Sequence, residues 1–296
     1  MKIAVSGASG LIGSALVPEL QAAGHDVVRL VRRRAASTSE LEWDPEAGTI
    51  DAAGLAGTDA AVHLSGATIG RRWTEARKAE ILESRVRSTR LLAETLATLE
   101  PSPSVLVCAG GVGIYGARGD EILTEESELG TGFLADVGRA WEAAAEPARA
   151  AGIRVVNFRQ GIVLSRDGGA LDRMLTPFRL GVGGRIGSGT QWWSWASLDD
   201  IVAGYRFALD AELSGAVNLL TPHPATNAQF TKALGKALGR PTIFPFPAFA
   251  AKAVFGEMAE EALLTGQRAL PARLLDAGFA FNYPELDTAL HHTLAT

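Results

Sequence analysis

Short apolar runs and longer amphipathic stretches alternate along this chain. The runs are Ile3 to Val5, Val27 to Val31, Ala60 to Leu64, Ser104 to Cys108, Gly152 to Arg159 and Val217 to Leu220. Each is bounded by Gly, Pro or polar residues, the pattern of a buried strand. Between them apolar side chains recur at helical spacing. Leu11, Ile12, Ala15, Leu16 and Leu20 form one such stripe, and Ile81, Leu82, Val86, Leu91, Leu92 and Leu96 another, within about 78 to 98. Helices are also expected over Phe133 to Ala151, Ala170 to Leu180, Ile201 to Leu209 and Thr226 to Leu238, the last ended by Gly239 and Pro241. Leu41 to Asp51 reads as a small hairpin. Strands alternating with helices predict an α/β chain with a Rossmann-like, doubly wound, mostly parallel sheet. Beyond Arg159 the rhythm loosens. The expected division is a nucleotide-binding Rossmann domain over 1–165, completed by about 194–220, and a smaller α+β substrate-side lobe over 166–193 and 221–296.

Ligands of such sheets lie outside the carboxyl ends of the strands. The loops Ser6 to Gly13, Arg32 to Arg34, Ser65 to Thr68 and Ala109 to Tyr115 should therefore meet at one crevice. The first loop carries Gly7, Gly10 and Gly13 between a strand and a helix. Gly7 permits the turn, Gly10 lets a pyrophosphate approach the backbone, and Gly13 lets the helix pack close to the strand. Ser9, Leu11 and Ile12 complete this cradle at the positive end of the helix. Leu64, Ser65, Gly66 and Ala109 are expected to line the dinucleotide from neighbouring strand ends. The second strand runs into Arg32, Arg33 and Arg34, where an acid would bind the ribose 2′-OH of NAD. Basic residues there neutralise a 2′-phosphate, so Arg32 and Arg33 predict NADP (NADPH). A solvated basic turn is the alternative.

Composition narrows the class. Hydrophobic residues make up 47% of the 296 and charged residues 21%, as in ordinary globular proteins. A net charge of −5 argues against nucleic acid. Arg71, Arg72, Arg77, Lys78, Arg85, Arg87 and Arg90 alternate with Glu75, Glu80 and Glu83 and read as a charged helix face. One cysteine, Cys108, leaves no intramolecular disulfide and fits a reducing compartment. No apolar stretch is long enough for a membrane span, and the chain opens directly into a strand. A cytoplasmic monomer or homodimer acting on a small-molecule substrate, with no membrane partner, is expected. The five histidines lack ligand spacing, so no metal is expected.

The glycine motif, His63 to Gly66, Gly113 to Gly116, Phe133 to Ala135, Trp141 with Glu142, Arg159 to Gly161 and Trp192 to Asp200 resemble the extended short-chain dehydrogenase/reductase superfamily. More narrowly, the chain resembles its sugar-nucleotide-epimerase-like branch. Gly266 to Pro271, Leu274 to Phe279 and Tyr283 with Pro284 resemble the small C-terminal domain of that branch. The resemblance covers the whole chain and implies a Rossmann fold with an NADP(H) site.

It also implies a Ser, a Tyr and a Lys for proton transfer and carbonyl polarisation. This chain holds Gly110 and Gly111 at the Ser position, Leu134 at the Tyr position and Gly138 at the Lys position. Tyr115 is the alternative proton carrier, or it packs under its loop. Glu142 carries a proton or is a structural acid. His63 titrates near the cofactor or is a satisfied neighbour. Arg159 contacts cofactor or anchors a phosphate or carboxylate, unless it forms a structural ion pair. Gln191, Trp193 and Trp195 offer ring surface and a polar anchor to substrate, or pack the lobes together. Asp199 and Asp200 cap their helix. The resulting expectation is an NADP(H)-dependent oxidoreductase with a degenerate triad, acting by hydride transfer. The alternative is a non-catalytic NADPH-binding sensor or regulatory protein.

Overall fold

The computed structural model describes residues 1–295. The amino-terminal half runs β1 (Lys2–Ser6), α1 (Leu11–Ala22), β2 (Asp26–Val31), β3 (Glu40–Asp44), β4 (Thr49–Ile50), β5 (Ala60–His63), α2 (Glu75–Ala97) and β6 (Val105–Gly111). A 3-10 turn (Val112–Tyr115) leads to β7 (Ile122–Leu123), α3 (Phe133–Ala143), α4 (Glu146–Ala150) and β8 (Arg154–Gln160). Then come β9 (Ile162–Leu164), α5 (Gly169–Arg179), β10 (Trp192–Trp193), β11 (Trp195–Ser197), α6 (Leu198–Asp210) and β12 (Gly215–Leu219). β13 (Ala225–Thr226), α7 (Asn227–Leu238) and α8 (Ala248–Phe255) follow. A π-helical turn (Ala259–Leu263), β14 (Arg268–Ala269), α9 (Ala272–Asp276) and α10 (Leu286–Ala295) complete the chain.

The main sheet has the order β12-β8-β6-β5-β1-β2-β3-β4. Every pairing is parallel except β3 with β4, which is the expected hairpin. Side-chain alternation sorts the strands onto two cores. Ile3, Val5, Val62 and Val156 pack under α1 and α6, against Leu16, Leu20, Ile201 and Tyr205. Ala4, Ala61, Leu106 and Val155 face α2 and α4, against Leu92, Leu96, Ala145 and Ala148. Both faces are covered, which is why the strands read as continuous apolar runs. Cys108 lies in the second core, and burial pushes its thiol up to about 12.

The single helix expected over Phe133 to Ala151 is two helices. Pro147 lacks an N–H, and in a continuous helix its ring would clash with the carbonyl of Ala143, so the helix stops and restarts. A third core gathers Leu171, Leu175, Phe178, Trp193, Trp195, Phe230 and Leu290 from the later segments. β14 pairs with β7 and ties the C-terminal segment back to the first half. Among the described residues no helix is long and apolar enough to cross a membrane, and no group of His, Cys, Asp and Glu is placed to hold a metal.

Candidate functional site

Because β1, β2, β5 and β6 are parallel, their carboxyl ends share one edge. The turn from β1 to α1 sits at its centre. Gly7 has φ +69°, and a Cβ there would lie 2.8 Å from the Leu64 carbonyl carbon. Only glycine lets this turn abut the loop after β5. A Cβ at Gly13 would strike the Gly7 carbonyl, so helix and turn are in backbone contact. Gly10 caps α1 without a side-chain bond, and the first turn carries no acid. The leading N–H groups and the positive end of α1 are thus left for an anion. Ser9 and Gly10 are exposed, while Leu11 and Ile12 are half-buried. These features fit a dinucleotide diphosphate.

A buried chain of polar groups holds the two loops together. The Ser6 hydroxyl donates to His63 Nδ1 at 2.7 Å and accepts from the Leu64 N–H at 3.3 Å. The Ser88 hydroxyl donates to the Ser84 carbonyl at 2.6 Å. It therefore accepts from His63 Nε2–H at 3.1 Å. His63 is thus a neutral, satisfied histidine, and burial pulls it down to about 3. Of its two expected roles, the structure supports the satisfied neighbour.

At the end of β2 the three arginines separate. Arg33 donates from Nη1 and Nη2 to both oxygens of Glu40, at 2.8 and 2.7 Å. Glu40 also accepts from the Ala36 N–H at 2.9 Å and pairs with Arg29 at 3.1 Å. Its carboxyl is 4% exposed, and the Arg33 bond leads in holding it down to about 2. Arg33, expected on a 2′-phosphate, is thus paired with Glu40 while its side chain stays exposed. Arg32 is exposed and engages no partner among the described residues.

The expected catalytic groups form a closed network instead of facing a crevice. Tyr115 is fully buried. Its hydroxyl donates to Asn218 Oδ1 at 2.8 Å and accepts from Arg159 Nη1 at 2.9 Å. Burial pushes that hydroxyl above the usual phenol value. Arg159 donates from Nε and Nη2 to the two Glu142 oxygens at 2.7 and 2.9 Å. These contacts argue against Tyr115 and Glu142 as proton carriers and against Arg159 as a cofactor or anion anchor. Each side chain's polar atoms are occupied by the next, and Arg159 is the structural ion pair. Ala109 stays in β6, 9% exposed, beside Phe158 of β8.

At the positions expected to hold the triad the packing is uneven: a Cβ at Gly110 would lie 2.6 Å from the Phe158 carbonyl oxygen, whereas one at Gly111 would meet open space. A Cβ at Gly138 would lie 2.8 Å from Ile114 Cβ, and Leu134 covers Gly113. Gly138→Lys should therefore destabilise the fold by about 1–3 kcal/mol, read as a lower urea midpoint with unchanged slope. A midpoint equal to that of the parent would show that Ile114 yields freely.

The aromatic segment is also corrected. Trp195 is fully buried and donates to the His223 carbonyl at 3.1 Å. Trp193 is 5% exposed and packs edge-on against Phe230 at 5.2 Å. Gln191 spends its amide on the Ile186 and Leu263 carbonyls, at 3.1 and 2.8 Å. Neither Trp193 nor Trp195 faces open space, because β10 and β11 turn them into the third core, whereas Gln191 precedes β10 and stays half-buried. Trp192, from the same aromatic run, is the more accessible ring. Arg268 lies over it at 4.4 Å, and both line a cavity of about 320 Å³ with Ile122, Pro222, His223, Pro224 and Leu270. Strand alternation within the Trp run was the available signal. Ser197, not an aspartate, caps α6, and Asp200 accepts from the backbone of Asn282 and Tyr283. His292 is half-buried and stacks on Tyr283 at 4.2 Å.

The sequence matches the family model described as "NAD dependent epimerase/dehydratase family" over residues 3–219. The chain belongs to that family. A domain of unknown function, DUF1731, matches residues 246–293 of this epimerase-family chain. It is 46% identical over 290 residues to epimerase family protein Mb2239 of Mycobacterium bovis, covering 97% of this chain and 96% of the relative. Human epimerase family protein SDR39U1 is 38% identical, with both chains covered completely. The crystal structure of human SDR39U1 with NADPH superposes with a TM-score of 0.91 at 37% identity, covering 100% of both chains.

Proposed function

We propose that this protein binds NADP(H) across the β1–α1 turn and serves as an oxidoreductase of the epimerase family, by hydride transfer on a small substrate. The observation that carries the reading is Arg32. It directly follows β2 and engages no partner among the described residues, while Glu40 is spent on Arg33. A free guanidinium there suits a 2′-phosphate. NADPH in the human relative's structure lends support. The first-turn N–H groups of α1 would hold the diphosphate, and Leu64, Ser65 and Gly66 would border it. When bound, the nicotinamide supplies hydride chemistry. The chain's own residues orient it and keep the β5 and β6 edges dry. Tyr115, Glu142 and Arg159 brace the wall behind β6 and β8 and move no proton, since their polar atoms are mutually satisfied.

The same closure favours a second reading, a cofactor-binding protein without turnover that senses or regulates. One experiment separates the two: NADPH absorbance followed across carbonyls, enones and sugar nucleotides, with binding measured in parallel. Consumption with any substrate supports the oxidoreductase. Tight binding without consumption supports the sensor. No uptake of either nicotinamide dinucleotide sinks both.

A further inference from the structure

Arg85 has no role in the reading above, and its surroundings are unusual for a cation. It sits half-buried on α2, facing inward instead of forming part of a solvated face. Its guanidinium lies 4.7 Å from the Trp141 ring centroid. Nη1 donates to the Ala67 carbonyl at 2.9 Å and the Ile81 carbonyl at 3.0 Å. Nε and Nη2 make no hydrogen bond, and no carboxylate pairs with it among the described residues. The charge that acts on it is another cation, Arg77, two turns earlier on α2. Arg77 donates to the Thr68 carbonyl and pairs with Glu80, while its Nε is buried without a partner.

Two guanidinium groups thus grip successive carbonyls of one loop, at the carboxyl end of β5. A Cβ at Gly66 would lie 3.2 Å from Arg85 Cζ, so the cation lies directly against the loop. Burying a cation without a counter-charge, beside a second cation, is costly. Burial and Arg77 together pull Arg85 down to about 10, so it stays charged at neutral pH. A multiply charged oxyanion would offset both the desolvation and the repulsion. The free Nε and Nη2 edge offers the fork that phosphate accepts bidentately.

We propose that Arg85, with Arg77 beside it, binds a phosphate or diphosphate group of a ligand lying over the Ser65–Thr68 loop. The proposal rests on the dinucleotide lying across β1, which puts this loop on the side away from Arg32. The oxyanion then belongs either to the cofactor itself or to the substrate.

Titration calorimetry on the full chain distinguishes these sources, with NADPH and inorganic pyrophosphate as probes and Arg85→Met and Arg85→Lys as variants. If the substrate carries the oxyanion, NADPH-loaded parent protein binds pyrophosphate. Arg85→Met then weakens that binding at least about tenfold, and Arg85→Lys restores part of it. If the cofactor carries it, Arg85→Met weakens NADPH itself about tenfold, and loaded protein takes up no pyrophosphate. Parent affinities for both probes in a folded Arg85→Met overturn the proposal and leave Arg85 as a strap on the loop. Should Arg85→Met not fold, the parent and Arg85→Lys decide. No pyrophosphate uptake by parent protein, apo or loaded, overturns the proposal, as do unchanged affinities in Arg85→Lys, which lacks the fork. A parent that takes up no NADPH sinks the cofactor reading separately, and pyrophosphate binding to the apo proteins still tests Arg85.

Discussion

Arg32→Ala will lower NADPH affinity by about 10- to 100-fold and leave NADH affinity unchanged, because a charge-assisted bond to phosphate contributes roughly 1.5–3 kcal/mol. The asymmetry follows from the partners at the end of β2. Arg33 is held by both oxygens of a nearly buried Glu40, and withdrawing it would strand that carboxylate. Arg32 gives up nothing but water. Arg33→Ala should therefore act mainly on stability and Arg32→Ala on cofactor choice. Paired titrations of each variant with NADPH and NADH measure this. An unchanged ratio of the two affinities in Arg32→Ala would remove this residue from cofactor selection.

Acidification will unfold the protein steeply below neutrality, and His63 will account for about one proton of that dependence. Its ordinary value is 6.5 and its native value about 3. The unfolded chain therefore binds a proton below pH 6.5 that the native chain refuses until about pH 3. The sign follows from linkage: His63's contribution is fully present above 6.5 and is lost as pH falls from there through 3. The loss approaches about 1.4 kcal/mol per pH unit, several kcal/mol across the window. Glu40 adds its own loss lower down, between its ordinary 4.5 and about 2, where protonation releases Arg33. Urea unfolding at stepped pH should show a shallower slope for His63→Gln than for the parent above about pH 5.5, a unit beyond Glu40's ordinary 4.5, where Glu40 contributes little. Equal slopes would mean that the native site accepts the proton and that the Ser6–His63–Ser88 chain rearranges to hold it.

The strand and helix rhythm, the glycine turn and the arginines after β2 were all legible from residue order. Each is a local signal: periodicity marks which face is buried, and a close backbone approach demands glycine at Gly7 and Gly13. The expectation of a degenerate triad rests only on the identities at Gly110, Gly111, Leu134 and Gly138. The direction in which a side chain points at the sheet edge was not legible. Tyr115 and Arg159 lie in different strand-end segments, and their bond to each other depends on β6 meeting β8 in one register. Glu40 claimed Arg33 because β3 pairs with β2.

Residue order by itself determined an α/β nucleotide-type fold, its glycine turn and a basic corner, because short-range spacing carries those features. Only the tertiary structure decided that Tyr115, Glu142 and Arg159 satisfy one another, that Trp195 is core, and that Arg32 and the Nε–Nη2 edge of Arg85 have no hydrogen-bond partner among the described residues. Whether a polar group is spent or available depends on which distant segments pack against it, and sequence spacing does not encode that.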